Sequence, residues 1–136
     1  MGALEEIEAI KQLKARYFRL LDTQQWDEFG DVFTEDATLA ASPSPGETFR
    51  GRQEIVQRVS AALRGATTVH HGHMPEISLT GEDTATGIWA MYDFVDLPQL
   101  VLHGFGHYHE DYAKQRGAWR IRRSRLTRLR LDITRK

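Results

Sequence analysis

Three kinds of side chain in this sequence can carry chemistry: a carboxylate inside an apolar strand, two sets of clustered histidines, and two arginines inside an apolar alternation. Asp93 lies in the run Trp89-Ala90-Met91-Tyr92-Asp93-Phe94-Val95. A carboxylate in such company is paired or has its ionisation altered, unless it falls at an exposed strand end. His70, His71 and His73 form one histidine set, and His103, His107 and His109 the other. Imidazole titrates near neutral pH and is a common metal ligand, so each set is a candidate for proton transfer or for metal. On an extended strand, residues four apart stand about 13 Å from one another at about 3.3 Å per residue, so the second set cannot close on a single ion. A pocket-lining row and a surface row both remain. The first set lacks the HExxH spacing and any dense ligand pattern, so no metal is expected. Within it, His70 is out of phase with His71 and His73; alternation alone does not say which phase points inward.

These residues need elements to hold them. Leu4, Ile7, Ile10, Leu13, Tyr17 and Leu20 or Leu21 recur every three or four positions, which predicts a helix over 4–22. Thr23 is a candidate N-cap for a second helix with Trp26, Phe29, Val32 and Phe33 on its apolar face. Ala37 to Ala41 reads as a short strand, and the Pro-rich segment 42–47 as a loop over the pocket mouth. A third helix runs from about Arg52 to Leu63 and stops at Gly65. From Thr67 the period becomes two, predicting strands near 67–74, 76–80, 84–95, 102–113 and 118–133. Gly81-Glu82-Asp83 and Gln115-Arg116-Gly117 are the clearest hairpin turns. The expected fold is α+β: a cone-shaped roll in which three N-terminal helices pack on a strongly curved mixed or antiparallel sheet and enclose a pocket.

Alternation then sorts the side chains. Strand 84–95 puts Ala85, Gly87, Trp89, Met91, Asp93 and Val95 on one face, and Ile88, Ala90, Tyr92 and Phe94 on the other. Both faces are apolar, so the strand is expected to be covered on both sides, with a second copy of the chain covering the convex one. Trp89, Met91 and Phe105 are expected to line the pocket. On the last strand the odd positions read inward, interrupted by Arg123 and Arg125. Either one of these arginines meets a buried carboxylate or an anionic group of a substrate, or a β-bulge returns them to solvent.

The 136 residues are expected to form one domain, 1–136, with 40% hydrophobic and 27% charged residues. No apolar run approaches the roughly 20 residues that span a bilayer, and Met1 to Ile10 lacks the basic stretch of a signal peptide. Cysteine is absent, which excludes thiolate catalysis and Cys-ligated zinc, and a cytoplasmic location is expected. The net charge of −1 divides unevenly: residues 1–113 hold 8 basic and 18 acidic side chains, and residues 114–136 hold 10 basic and one acidic. The basic end alternates with apolar residues as a half-exposed strand does, so nucleic acid is not the expected partner.

An ordered set of short motifs covers nearly the whole chain: Ile10-x-x-Leu13-x-x-x-Tyr17-x-x-x-x-Asp22, Trp26-x-x-Phe29-x-x-x-Phe33-x-x-Asp36-Ala37, Gly51-x-x-x-Ile55, Thr68-Val69-His70-His71, Gly81-x-x-x-Ala85-x-Gly87 and Gly117-x-Trp119-x-Ile121. Together they resemble the SnoaL-like branch of the nuclear transport factor 2-like superfamily. Its scytalone dehydratase, dehydrochlorinase and bile acid 7α-dehydratase members share an aspartate ending the first helix and a histidine opening the second strand block. The resemblance implies that Asp22 and His70 are that pair, choosing His70 over His71. It also implies catalytic roles for Tyr17 and Asp93, which match by order and spacing. The dehydrochlorinase arginine falls near Ser124, so neither Arg123 nor Arg125 takes its place cleanly.

What the resemblance implies is a cofactor-independent lyase or isomerase, most concretely a dehydratase of a hydrophobic cyclic, steroid- or polyketide-like molecule. His70 would be the base, Asp22 its orienting carboxylate, Tyr17 the donor to a developing oxyanion and Asp93 a second acid. A polyketide aldol cyclase and a non-catalytic small-molecule binding module are the alternatives on the same scaffold.

Overall fold

The computed structural model describes residues 2–40 and 47–136. The long N-terminal periodicity folds as α1, Ala3–Asp22, which buries Ile10, Leu13, Tyr17, Leu20 and Leu21. The next helix is shorter than its apolar spacing implies. α2 covers only Trp26–Gly30, and Phe33 already opens a strand. Thr23 does not cap it: its hydroxyl turns back to the Arg19 carbonyl at 2.7 Å, and Gln25 occupies the cap position. β1 (Phe33–Ala40) and the two-residue β2 (Phe49–Arg50) follow, then α3 (Arg52–Ala62), after which Gly65 adopts φ +75°. Most of the loop expected at 42–47 lies outside the described residues.

Four long strands complete the chain: β3 (Thr67–Leu79), β4 (Thr84–Asp96), β5 (Leu100–Gln115) and β6 (Ala118–Arg135). The two strands expected at 67–74 and 76–80 are one. Pro75 is absorbed by a bulge between His73 and Glu76, where Met74 takes φ +48°, so pairing with β4 resumes beyond it. The sheet runs β2-β1-β6-β5-β4-β3 and is mixed, because β1 lies parallel to β6 while the other pairs are antiparallel. The three helices pack on one face of this open, six-stranded sheet, giving the cone-shaped α+β roll expected.

The inward phase of β4 is as alternation predicts: Ala85, Gly87, Trp89, Met91, Asp93 and Val95 are all buried. On β5 the inward row is Gly104, Gly106, Tyr108, Glu110 and Tyr112. On β6 the phase changes twice. Arg122 is passed over between the pairs Tyr112↔Ile121 and Asp111↔Arg123, and Leu129 between Gly106↔Arg128 and Phe105↔Arg130. Each bulge inserts one residue and flips the strand's faces. Trp119 and Ile121 point inward, then Ser124, Leu126 and Arg128.

Candidate active site

The C-terminal end of α1 delivers Asp22 to the start of β3. Its carboxylate accepts three hydrogen bonds: from the Thr68 hydroxyl at 2.9 Å, from the His70 backbone N–H at 2.9 Å and from His70 Nδ1 at 2.7 Å. A carboxylate only accepts, so Nδ1 carries a proton; in the neutral ring Nε2 is then the acceptor. His70 is held from backbone and ring at once, which fixes the direction of its free nitrogen. That nitrogen faces Asp93 Oδ2 at 3.9 Å, beyond direct hydrogen bonding.

His70 and Asp93 line a cavity of about 350 Å³. Its walls are apolar: Leu21 from α1, Leu39 from β1, Phe49 from β2, Val59 from α3, Leu63 just after it, and Leu126 from β6. The remaining polar groups there are the hydroxyls of Tyr17 and Tyr108, the guanidinium of Arg128, and the ion pair Arg58–Glu47. Burial chiefly, and then the charge of Glu110, pushes the Tyr17 hydroxyl far above its usual range. Burial does the same to Tyr108, so both phenols remain protonated donors at neutral pH. A larger groove of about 760 Å³ between α2 and α3 is shallow and lined by Asp27, Glu35, Arg52 and Gln53, with no histidine.

Arg128 is the residue alternation misses. Its guanidinium binds Asp93 through Nη1–Oδ1 at 2.6 Å and Nη2–Oδ2 at 3.1 Å, a two-pronged pair in which the Asp93 side chain is only 6% exposed. The pair spans Gly104, where a Cβ would stand 1.9 Å from Arg128 Nη1 and 2.1 Å from Asp93 Oδ1. Only glycine leaves space for two side chains to meet across that strand. The β6 bulge at Arg122 puts Arg128 in the inward phase, and counting straight through it assigns the arginine to solvent. Two glycines on the inward row of β5 were the available signal that something long lies across it.

The same bulge decides the arginine alternative: it returns both arginines to solvent, so neither is a substrate-binding group of this cavity. Arg123 and Arg125 do not reach the cavity: both are exposed, and Arg123 pairs with Asp111 on the outer face at 3.4 Å. Phe105 is also on the wrong side. It is 37% exposed on the convex face, its ring 5.2 Å from that of Tyr92, because the inward phase of β5 belongs to its neighbours Gly104 and Gly106. Trp89 and Met91 do point inward, but not into the cavity. The Trp89 indole donates to the Tyr112 hydroxyl at 2.9 Å, and Met91 lies under Arg128, with Sδ 3.9 Å from Nη1. The cavity uses the other end of β4, at Asp93 and Val95. His103, His107 and His109 form a surface row on the convex face; the Tyr92 hydroxyl and His103 Nδ1 are 2.9 Å apart. Among the described residues no group of three or more acidic or histidine side chains is arranged to hold a metal ion.

With the helix-end carboxylate, the strand histidine and the enclosing roll in place, comparison with known proteins is decisive at the level of family. Residues 2–125 match the SnoaL-like domain. The chain belongs to the SnoaL-like family. It is 26% identical over 133 residues to the probable cyclase FGR4 of Gibberella zeae, covering 88% of this chain and 89% of that one. Among solved structures, this SnoaL-like chain superimposes on a candidate scytalone dehydratase from Novosphingobium aromaticivorans with a TM-score of 0.87 at 20% identity, covering 95% and 87% of the two chains. It superimposes on the hexachlorocyclohexane dehydrochlorinase LinA-type3 of Novosphingobium barchaimii with a TM-score of 0.84 at 16% identity, covering 96% and 91%. At these identities the likeness shows the fold alone, one shared with an NTF2-like protein of Novosphingobium aromaticivorans (TM-score 0.78, 22% identity, covering 93% and 83% of the two chains). None of the described helices is long and apolar enough to cross a membrane.

Proposed function

We propose that this SnoaL-like chain is a cofactor-independent lyase that dehydrates a hydrophobic cyclic β-hydroxy carbonyl compound. The observation that carries the reading is His70: one ring nitrogen is tied to Asp22 at 2.7 Å, and the other faces an apolar cavity. An unprotonated Nε2 takes the proton from the carbon next to the carbonyl. The electron pair moves onto the carbonyl oxygen, and Tyr17 and Tyr108 donate to the oxyanion that forms. Asp22 stabilises the imidazolium produced. When the enolate collapses, the carbon–oxygen bond to the β-hydroxyl breaks, and His70 returns its proton to make the departing group water. Both oxygens of Asp93 are occupied by Arg128, so this carboxylate fixes the cavity wall and a substrate polar group rather than acting as the acid.

The same base would serve an aldol cyclase, forming a carbon–carbon bond from the enolate; the cyclase name of the Gibberella relative favours keeping that reading. The test is product analysis with a β-hydroxy cyclic ketone, with His70→Gln alongside wild type. Loss of about two orders of magnitude in turnover, with folding intact, is expected for removal of a general base. Unchanged turnover in that variant overturns the assignment. A homodimer through the convex face belongs to the same proposal. Ile88 and Phe105 are exposed there beside Tyr92 and Phe94, an apolar surface that a second copy would cover.

A further inference from the structure

Directly behind the cavity lies a charge that the proposed chemistry does not use. Lys14, one turn before Tyr17 on α1, has no exposed surface. Its ammonium bonds Glu110 at 2.8 Å, and Glu110 is equally inaccessible. The carboxylate also accepts from Ser124 at 2.6 Å and from Tyr112 at 2.8 Å, and Tyr112 is itself held by Trp89. Three donors thus converge on the Glu110 carboxylate, the Lys14 ammonium among them. Burial holds Lys14 below the ordinary lysine range, with the carboxylate opposing that pull.

The rest of the ammonium's surroundings are aromatic. Nζ lies 3.8 Å from the centroid of the Tyr17 ring and 3.7 Å from that of Tyr108, with Phe18 at 5.0 Å. These two rings carry the hydroxyls that line the cavity. A cation against the electron-rich face of a phenol fixes the ring and draws electron density from it, and a dry interior screens little of that effect. We infer that Lys14 is a positioning residue for the site: held by Glu110, its ammonium clamps Tyr17 and Tyr108 and strengthens both hydroxyls as donors to a bound oxygen. The inference rests on the reading of the cavity as the place where that oxygen sits. Lys14 itself touches no cavity space and acts through the rings.

The order in which these groups lose their protons supplies the test. Burial holds Lys14 below the ordinary lysine range and both phenols above theirs, so the ammonium is discharged while both hydroxyls are still protonated. The experiment follows the ¹⁵Nζ resonance of Lys14 and the ¹³Cζ resonances of Tyr17 and Tyr108, assigned with Tyr→Phe variants, as pH rises from 7. Glu110 and Asp93 bear on both phenols, Asp22 on Tyr17, and the two phenols on one another. Both ¹³Cζ resonances should shift with the same midpoint as Lys14 Nζ, and that step should be absent from Lys14→Met/Glu110→Gln. ¹³Cζ resonances that stand still while Nζ loses its proton would overturn the proposal. A neutral amine at pH 7 in wild type would overturn it whether or not the variant folds. Neither measurement needs turnover. The clamp can therefore fail while the protein remains a lyase, or hold in a protein that turns nothing over.

Discussion

Gly104→Ala is the sharpest test of how the Asp93–Arg128 pair is built. The added Cβ would stand 1.9 Å from Arg128 Nη1 and 2.1 Å from Asp93 Oδ1, so the two groups cannot both stay. On backbone grounds alone the substitution should help, by up to about 1 kcal/mol, because alanine has less freedom to lose than glycine. Against that stands the separation of a buried pair. Removing one partner of such a pair costs about 3–5 kcal/mol when the other is left uncompensated. Asp93 cannot escape, with 6% of its side chain exposed, whereas Arg128, at 19%, can retract toward solvent. The expected net loss is therefore about 2–4 kcal/mol, the electrostatic term exceeding the backbone gain. Urea unfolding at pH 7 reads this as a lower midpoint at unchanged slope. Arg128→Met should cost a similar amount, and the double variant little more than either alone, because both remove one interaction. A Gly104→Ala protein within about 0.5 kcal/mol of wild type, or costs that simply add, would refute the reasoning.

The remaining predictions concern the base of the helix layer and the convex face. Glu6 is held below its ordinary pKa chiefly by the hydrogen bond from Lys114, with burial opposing and Trp119 adding. A carboxyl with a depressed folded value gives stability that is full above the unfolded value, near 4.5, and lost as pH falls through the folded one. Glu6→Gln should therefore flatten the fall of melting temperature below pH 4.5; the same slope in both proteins would deny Glu6 that role. Ile88→Arg places a charge at the centre of the exposed apolar face, and sedimentation velocity at micromolar concentration should show the wild-type dimer converted to monomer. A wild type that sediments as monomer removes the dimer proposal.

The first helix and the inward phase of β4 were legible because each follows one period throughout: Ile10, Leu13, Tyr17 and Leu20 on α1, and Ala85 to Val95 by twos on β4. Asp22 and His70 were legible through ordered motifs rather than through periodicity, since alternation could not separate His70 from His71. What stayed hidden depended on breaks in period. The inserted Arg122 inverts β6, so Arg123 and Arg125 lose the interior and Ser124 and Arg128 gain it. Phe105 was misplaced by a different cause. Hydrophobicity argues for burial, but the inward positions beside it are glycines, needed for the Asp93–Arg128 pair to cross at Gly104 and for β6 backbone to approach Gly106, where a Cβ would be 1.9 Å from the Thr127 carbonyl oxygen. The second helix ended early because Phe33 begins the strand that lies beside β6.

The double anchoring of His70, by backbone and by ring, has a stereochemical consequence. An imidazole that cannot turn around has one working nitrogen and one direction of approach. In the elimination proposed above, the hydrogen it would lift from a flat ring and the group it would send off with that hydrogen must lie on the same side of the ring. A molecule handled this way should lose the two syn to one another, and a deuterium label on one face of the carbon would leave with the water or stay behind accordingly.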